Sequence, residues 1–463
     1  MLKKLLDHQV EGVEFLKDKL GAGLFFEMRL GKSLTTLEHL NNLKLSGEDI
    51  FPILIVAPLS VVPVWGQEIN KFGFDFSFTE LTGTRKTRQD RLKEQKDVYV
   101  INYEGARIYF TDLLAKKFKT IVLDESHRVK QVRAQQTQKI LKLGEQAKRR
   151  YILSGTPVTK SPEDVWAQIQ FICPGYLGNF FSFRSKYVEF RKMTVRSANG
   201  HREIQVPYRF KNLKELEDRM SRLCLRKTQA ECLDLPEKSY KTIPCNMEGD
   251  QLKAYYEMKY NLQTTLQDQN FCIKNALTQA QKMQQICHGF LYGEDKKPIW
   301  FKNNVKVDIL TDLLETISTE KIVLFCNFAA DMTLLQSKFN ELEYKHVVYY
   351  GDSEQREAAI KEFNESKEPV IFLTTIEVGK EGINLSTAAH VIYYGRNFNY
   401  ASRYQSEARI QSVTQTRNMI YYDLVCPNTI DSKVLDVLQF KGETADKILG
   451  DSKRIAMLAA DLL

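Results

Sequence analysis

Short apolar runs recur through the first third of the chain: PILIVAPLS (52–60), DVYVINYE (97–104), KTIVLDESH (119–127) and RRYILSGTP (149–157). Each is closed by polar or turn residues, the pattern of a strand buried on both faces. The intervening stretches carry helical patterning, so the segment predicts βαβ units of a parallel sheet. A second set, KIVLFCNF (321–328), KHVVYYGD (345–352), PVIFLTT (369–375), AHVIYYGR (389–396) and NMIYYDLV (418–425), predicts a second lobe of the same kind. Residues 161–300 are instead rich in helix formers. They are interrupted only at MTVRSANGHREIQVPYRF (193–210), where Asn199-Gly200 between extended segments signals a β-hairpin. The expected fold class is α/β: a doubly wound parallel-sheet lobe at 1–160, a helical insertion and linker at 161–300 with its hairpin near 194–206, and a second such lobe with a helical tail at 301–463.

Composition refines this little. A chain of 463 residues exceeds what one core serves, so two or three domains are expected. Lys+Arg 66 against Asp+Glu 58 gives +8, which suits a polyanionic partner without establishing one. The eight cysteines form no C-x-x-C pair and read as reduced thiols of an intracellular protein rather than as zinc ligands. The N-terminal MLKKLLDHQVEGVEFL is amphipathic and charged throughout, with neither a signal-peptide core nor a membrane-spanning run. A soluble, cytoplasmic, monomeric protein with no membrane partner is expected.

The candidate chemistry begins at FFEMRLGKSL (25–34). A phosphate-binding loop usually reads G-x-x-x-x-G-K-[ST], and here Phe26 stands where the first glycine belongs. The tail Gly31-Lys32-Ser33 still offers close backbone approach, an ammonium for phosphate oxygens and a hydroxyl for a metal. In doubly wound sheets ligands gather at the carboxyl ends of strands. GAGLFFEM reads as such a strand ahead of Lys32, and Asp124-Glu125 follow the run TIVL about 90 residues later. Ser33 and Asp124 are thus candidate ligands of a nucleotide-bound magnesium ion, and Glu125 the group that orients or deprotonates water. An isolated Asp-Glu pair means little; paired with Gly-Lys-Ser upstream, it points to a site.

These stretches fall in an order that carries a resemblance. LLDHQVEGVEFL, EMRLGKS, LIVAPLSVVPVWGQEI, INYEGAR, LDESH, LSGTP, IVLFCNF, TTIEVGKEGINLSTAAHVIYYGRNFN and YQSEARIQSVTQT follow one another as in the superfamily 2 helicases. The chain resembles their Swi/Snf-type double-stranded DNA translocases over nearly its whole length, in a compact form like those of bacteriophages and bacteria. The resemblance implies two RecA-like lobes with ATP in the cleft and DNA across both. The family loop commonly reads D-E-M-G-L-G-K-T, without the first glycine; this chain departs from it at Phe26, Arg29 and Ser33.

Residue by residue, the resemblance implies that Gln9 reads adenine, Gly31 and Lys32 hold phosphates, Ser33 and Asp124 hold Mg2+, and Glu125 serves the attacking water. Ser154 and Thr156 would couple nucleotide state to DNA grip. Gly379, Glu381, Gly382 and Asn384 would form a loop touching DNA and nucleotide. The last family motif reads Q-x-x-D-R-A-H-R-I-G-Q. Aligned on Gln405 and Gln415, it places Arg409 on the first arginine and Ser412 on the second. Arg409 then acts alone, or Arg403 or Arg417 supplies a second guanidinium, or the motor is slow.

A translocase must hold phosphates without reading sequence. GTRKTRQDRLK (83–93) and KRR (148–150) fit a solvated helix face and a DNA contact equally well. In residues 183–211, Arg184, Lys186, Arg191, Lys192, Arg196, Arg202, Arg209 and Lys211 have only Glu189 and Glu203 as local acids, which favours nucleic acid. Phe183, Tyr187 and Phe190, spaced i, i+4, i+7, read as core. Arg226 and Lys227 resemble a family segment that braces the closed state or grips DNA. The expected activity is DNA-dependent ATP hydrolysis driving translocation on double-stranded or branched DNA. Branch migration or fork remodelling would suit it, in repair, recombination or replication. A non-hydrolysing DNA-binding module, suggested by Ser412, and an RNA helicase are the alternatives.

Overall fold

The structure, a computed structural model, describes residues 5–197, 200–233, 238–261, 263–266, 269–272, 276–293, 295–317, 319–351, 353–379, 383–410 and 418–449. The chain divides into two compact units, one drawn from Met1–Phe190, Pro207–Asp234 and Lys441–Leu463, the other from Arg191–Val206 and Leu235–Phe440.

The first unit is built on a parallel sheet of β1 (Gly21–Phe26), β2 (Ile53–Ala57), β3 (Phe78–Glu80), β4 (Val98–Asn102), β5 (Thr120–Asp124), β6 (Arg149–Leu153) and β9 (Cys224–Lys227). Their order is β3-β4-β2-β5-β6-β1-β9. The apolar runs form the buried central strands because both faces are covered, and β2 and β5 are buried along their whole length. Helices α1 (Asp7–Leu16), α2 (Lys32–Leu45) and α3 (Val62–Lys71) belong to this unit. Leu37, Leu40, Trp65 and Ile69 from α2 and α3 meet Leu24, Phe26, Ile55 and Val100 of the sheet in one core. Gly12 lets α1 press close to the start of α2, since a Cβ there would lie 2.8 Å from Thr35 Cγ2 and 2.9 Å from Phe26 Cζ.

The strands β7 (Val188–Ser197) and β8 (Gly200–Phe210) pair as a separate two-stranded sheet where the hairpin is expected, and Asn199 lies outside the described residues. Two smaller hairpins, β11 (Gln263–Leu266) with β12 (Gln269–Cys272) and β13 (Phe290–Tyr292) with β14 (Pro298–Trp300), were not expected.

The second unit carries β10 (Lys238–Pro244), β15 (Ile322–Cys326), β16 (His346–Tyr349), β17 (Ile371–Thr375), β18 (His390–Tyr393) and β19 (Met419–Val425). They pair in parallel in the order β10-β19-β18-β15-β17-β16, between two apolar cores. Both units are thus parallel α/β lobes. β9 and β10 come from the stretch read as helical, and each ends up in one of the sheets. Of β9 only Cys224 is buried, and β10 is exposed along most of its length, so neither carries the doubly buried pattern that marks a central strand. No helix among the described residues is long and apolar enough to cross a membrane.

Candidate active site

Register brings the motifs of the first unit together. Leu153 at the end of β6 pairs with Leu24 of β1 on one side and with Asp124 of β5 on the other. The loops that leave these three strands, Glu27–Gly31, Glu125 and Ser154–Pro157, therefore emerge side by side at one end of the sheet. Gly31 starts α2 with φ +73°, and a Cβ there would sit 2.2 Å from Gln9 Nε2, so this close approach requires glycine. Lys32 and Ser33 follow as the first residues of α2, where unpaired backbone N–H groups and the helix dipole favour an anion. Lys32 Nζ donates to the carbonyls of Phe26 (3.1 Å) and Glu27 (3.4 Å). Gln9 is buried against the same loop, its Oε1 accepting from Leu6 N (2.9 Å) and its Nε2 donating to Leu30 O (3.3 Å).

Asp124 is 5% exposed. One carboxylate oxygen accepts from Trp65 Nε1 (3.0 Å) and the other from Glu125 N (2.9 Å). Burial first, then the neighbouring Glu125, push the Asp124 carboxyl up to about 7, against the opposing pull of Lys32 and Trp65. Glu125 has φ +51°. Its Oε2 lies 3.2 Å from His127 Nδ1 and accepts from Ser154 Oγ (3.4 Å), while His127 Nδ1 lies 3.3 Å from Ser154 Oγ. Ser154 Oγ also accepts from Thr156 N (3.1 Å), and the buried Thr156 Oγ1 has no hydrogen-bond partner among the described residues.

Two residues of this site escape sequence reasoning. Trp65 and Glu68 stand one turn apart on α3. Burial raises the Glu68 carboxyl, opposed by a hydrogen bond from Ser33 and by Lys71 and Lys32. Its Oε2 is buried without a hydrogen-bond partner among the described residues. The available signal was a charged residue one helical turn after a buried tryptophan in VWGQE. Carboxylates at 68, 124 and 125 around one ammonium and a hydroxyl make an oxygen-rich, anionic pocket. That donor set fits a hard divalent cation on Ser33 and Asp124, beside a phosphate at the start of α2.

The basic residues are less open than their sequence implies. Arg226 donates to Phe25 O (2.9 Å), Gly155 O (3.4 Å) and Glu27 Oε1 (3.1 Å), with a side chain only 13% exposed. Lys227 pairs with Glu11 at 2.6 Å. Arg184 pairs with Glu163 (2.7 Å) and stacks over the Phe190 ring, and Lys186 pairs with Glu215 (2.6 Å). Both acids lie outside residues 183–211. Lys192 pairs with Glu203 (3.1 Å), and it and Arg191 are exposed. The side chains of Arg196 and Arg202 lie outside the described residues. Phe183 and Tyr187 are buried.

In the second unit, Gly379 is buried where a Cβ would come within 2.8 Å of Phe325 Cε1 and Thr374 Cγ2. Asn384 is exposed, its Oδ1 accepting from Ser386 N (3.3 Å). The next residue, Leu385, donates its N–H to Arg409 O (2.9 Å), so these two motif segments meet. Glu381, Gly382, Ser412, Gln415 and Arg417 lie outside the described residues. Arg403 is engaged by carboxylates of its own unit. It donates to Glu407 (2.6 Å) and to both oxygens of Asp423 (2.6 and 3.2 Å), and lies 3.4 Å over the Tyr393 ring. Asp423 also accepts from Arg396 (2.7 Å), whose other nitrogen reaches Asp431 (3.5 Å), and Asp431 pairs with Lys306 at 2.6 Å.

Comparison with known proteins agrees with these motifs. The model of the SNF2-related domain matches residues 8–294, and that of the helicase conserved C-terminal domain matches residues 305–413. The uncharacterized ATP-dependent helicase MG018 of Mycoplasma genitalium is 24% identical over 462 residues, covering 97% of this chain and 42% of the relative. The chromatin-remodeling subunit snf22 of the Schizosaccharomyces pombe SWI/SNF complex is 26% identical over 478 residues, covering 97% and 28%. The chain spans about half the length, or less, of the curated relatives it matches. A solved structure of the Sulfolobus solfataricus SWI2/SNF2 ATPase core in complex with dsDNA is 24% identical, with a TM-score of 0.45 and coverage of 100% and 97%. With the first of these models covering well over half of its residues, the chain belongs to the SNF2-related family.

Proposed function

We propose that the chain hydrolyses ATP and couples hydrolysis to movement along double-stranded DNA. The observation that carries this reading is the convergence at one sheet end of Lys32 and Ser33 with Asp124 and Glu125, the last tied through His127 to Ser154 of the neighbouring loop. Lys32 exchanges the carbonyls of Phe26 and Glu27 for phosphate oxygens. Ser33 and Asp124 would hold magnesium, which supplies neutralisation of phosphate charge when bound. Glu125 orients and deprotonates the attacking water, while Gln9, beside Gly31, recognises the base. The hydrogen-bonded set of Glu125, His127 and Ser154 carries the state of the water-activating carboxylate into the loop after β6, and so into DNA grip. Arg409 is assigned by its motif to the charge that develops in the transition state.

Family membership and the net charge of +8 support DNA as the polyanion. The exposed Arg191 and Lys192 of the hairpin are the contacts proposed for branched DNA, which makes branch migration or fork remodelling the finer reading. The test is ATP turnover by wild type and Lys32→Ala with no nucleic acid, single-stranded DNA, linear duplex, a four-way junction and duplex RNA. Turnover raised by duplex or junction DNA and lost in the variant supports the motor. Equal turnover by the two proteins on every substrate overturns it.

A further inference from the structure

The phosphate loop lacks its first glycine, and the structure shows other segments holding it. Besides the carbonyls of Phe26 and Glu27, which accept from Lys32, the carbonyls at and beside the loop are taken up by side chains from elsewhere in the unit. Phe25 O accepts from Arg226, Met28 O from Gln229 Nε2 (2.8 Å), and Leu30 O lies 2.9 Å from His8 Nε2 and accepts from Gln9. The Glu27 carboxylate accepts from Arg226 through Oε1 (3.1 Å) and from Gln229 N through Oε2 (2.9 Å). The Glu27 N–H donates to Lys227 O (2.9 Å), extending the parallel pairing of β1 with β9 into the loop. Glu27 and Gln229 are both buried.

A loop whose carbonyls are held by side chains keeps one shape, and with it the N–H groups at the start of α2 stay set for an anion. Here that shape is held by side chains 201 positions downstream, in addition to the glycine at position 31. Arg226 matters most, because one guanidinium grips Phe25 O, Glu27 and Gly155 O together and so ties the phosphate loop to the loop after β6. We infer that Arg226 and Gln229 are positioning residues that preshape the phosphate loop before nucleotide arrives, in place of a DNA contact at Arg226. This rests on the ATPase reading for its consequence but not for its geometry.

The experiment uses the full chain and the variants Arg226→Ala, Arg226→Lys, Gln229→Ala and Glu27→Gln. Amide hydrogen exchange of residues 27–33 is followed without nucleotide, beside the affinity for a fluorescent ATP analogue and for a duplex without nucleotide. Exchange should quicken by about 10- to 100-fold in Arg226→Ala, the worth of a hydrogen bond at a charged group, and by about 2- to 10-fold in Gln229→Ala, which removes a neutral one. Analogue affinity should fall by a like factor and duplex affinity stay within about twofold of wild type. Arg226→Lys should recover only part of it, since an ammonium lacks the fork that grips several acceptors. Arg226→Ala and Glu27→Gln combined should exceed neither single change by much. Unchanged loop exchange in variants that keep their melting temperature overturns the inference, as does loss of duplex affinity with nucleotide affinity intact. A wild type that binds no analogue overturns the ATPase reading, while the exchange readout still decides the clamp.

Discussion

Asp423→Asn should strongly destabilise the second unit. Its carboxylate accepts from Arg396 at 2.7 Å and from Arg403 at 2.6 and 3.2 Å, and all three side chains are buried. In its network the buried cations Lys306, Arg396 and Arg403 face Asp423, Asp431 and Glu407, and the part-exposed Lys238 joins Glu407 at 3.6 Å. Neutralising one anion leaves a guanidinium uncompensated where water cannot reach it. Removing one partner of a buried pair costs about 3–5 kcal/mol. The amide still accepts hydrogen bonds, so the lower figure applies, and at roughly 2–4 °C per kcal/mol for a unit of this size the melting temperature should fall by roughly 6–12 °C. Urea unfolding read by circular dichroism, with calorimetry beside it, measures the change. Arg403→Met in the same background should restore part of the loss, because it removes a stranded charge and keeps an apolar stem on Tyr393. A loss below about 1 kcal/mol, or a double variant worse than the sum of the singles, would refute the reasoning. The network also has a pH signature. Burial alone raises the Asp423 carboxyl, but Arg403 and Arg396 outweigh it and hold it below its usual range; Lys306 and Arg396 do the same for Asp431. Because the folded values are depressed, this stability is complete above about pH 4, the unfolded value, and drains away as pH falls toward the folded ones. Asp423→Asn should flatten that acid limb.

Trp65→Phe keeps the ring but removes the donor to Asp124; it should raise the Mg2+ concentration for half-maximal ATP turnover by about 10-fold, the worth of a hydrogen bond to a charged group, while leaving the melting temperature within a few degrees. Gly379→Ala drives a methyl against Phe325 and Thr374 and should cost about 1–3 kcal/mol in urea unfolding. Burial, aided by Arg149, lowers His39 from 6.5 to about 4 beside Tyr151. The unfolded chain therefore takes up a proton first, and stability should decline by about 1.4 kcal/mol per unit as pH falls from about 6.5 toward 4, a slope that His39→Gln removes.

The central strands were legible because burial on both faces leaves a run such as ILIVA that nothing else explains. β9 and β10 were not, because a short edge strand like CLRK keeps only one residue under cover and looks like the flank of a helix. Lys32, Ser33, Asp124 and Glu125 announced themselves through local spacing at strand ends. Trp65, Glu68 and Gln229 carry no such mark, and Arg226 was marked only by its family-like segment; their contacts with the loop exist only once α3 and β9 are folded beside it. For the same reason Arg184 and Lys186 read as open cations, since Glu163 and Glu215 come to them from elsewhere in the chain. Arg403 looked available for catalysis, whereas β19 supplies the carboxylate that occupies it.

Trp65 also turns the site into its own optical probe. The chain has three tryptophans, at 65, 166 and 300; the Trp65 indole donates to Asp124 of the candidate active site and that of Trp166 to a backbone carbonyl. Indole emission responds to charge within hydrogen-bond distance, so neutralising Asp124 with a cation should change the colour and yield of Trp65. With Trp166 and Trp300 replaced by phenylalanine, stopped-flow fluorescence would time metal-nucleotide arrival in real time with no attached dye, and Trp65→Phe would give the blank trace.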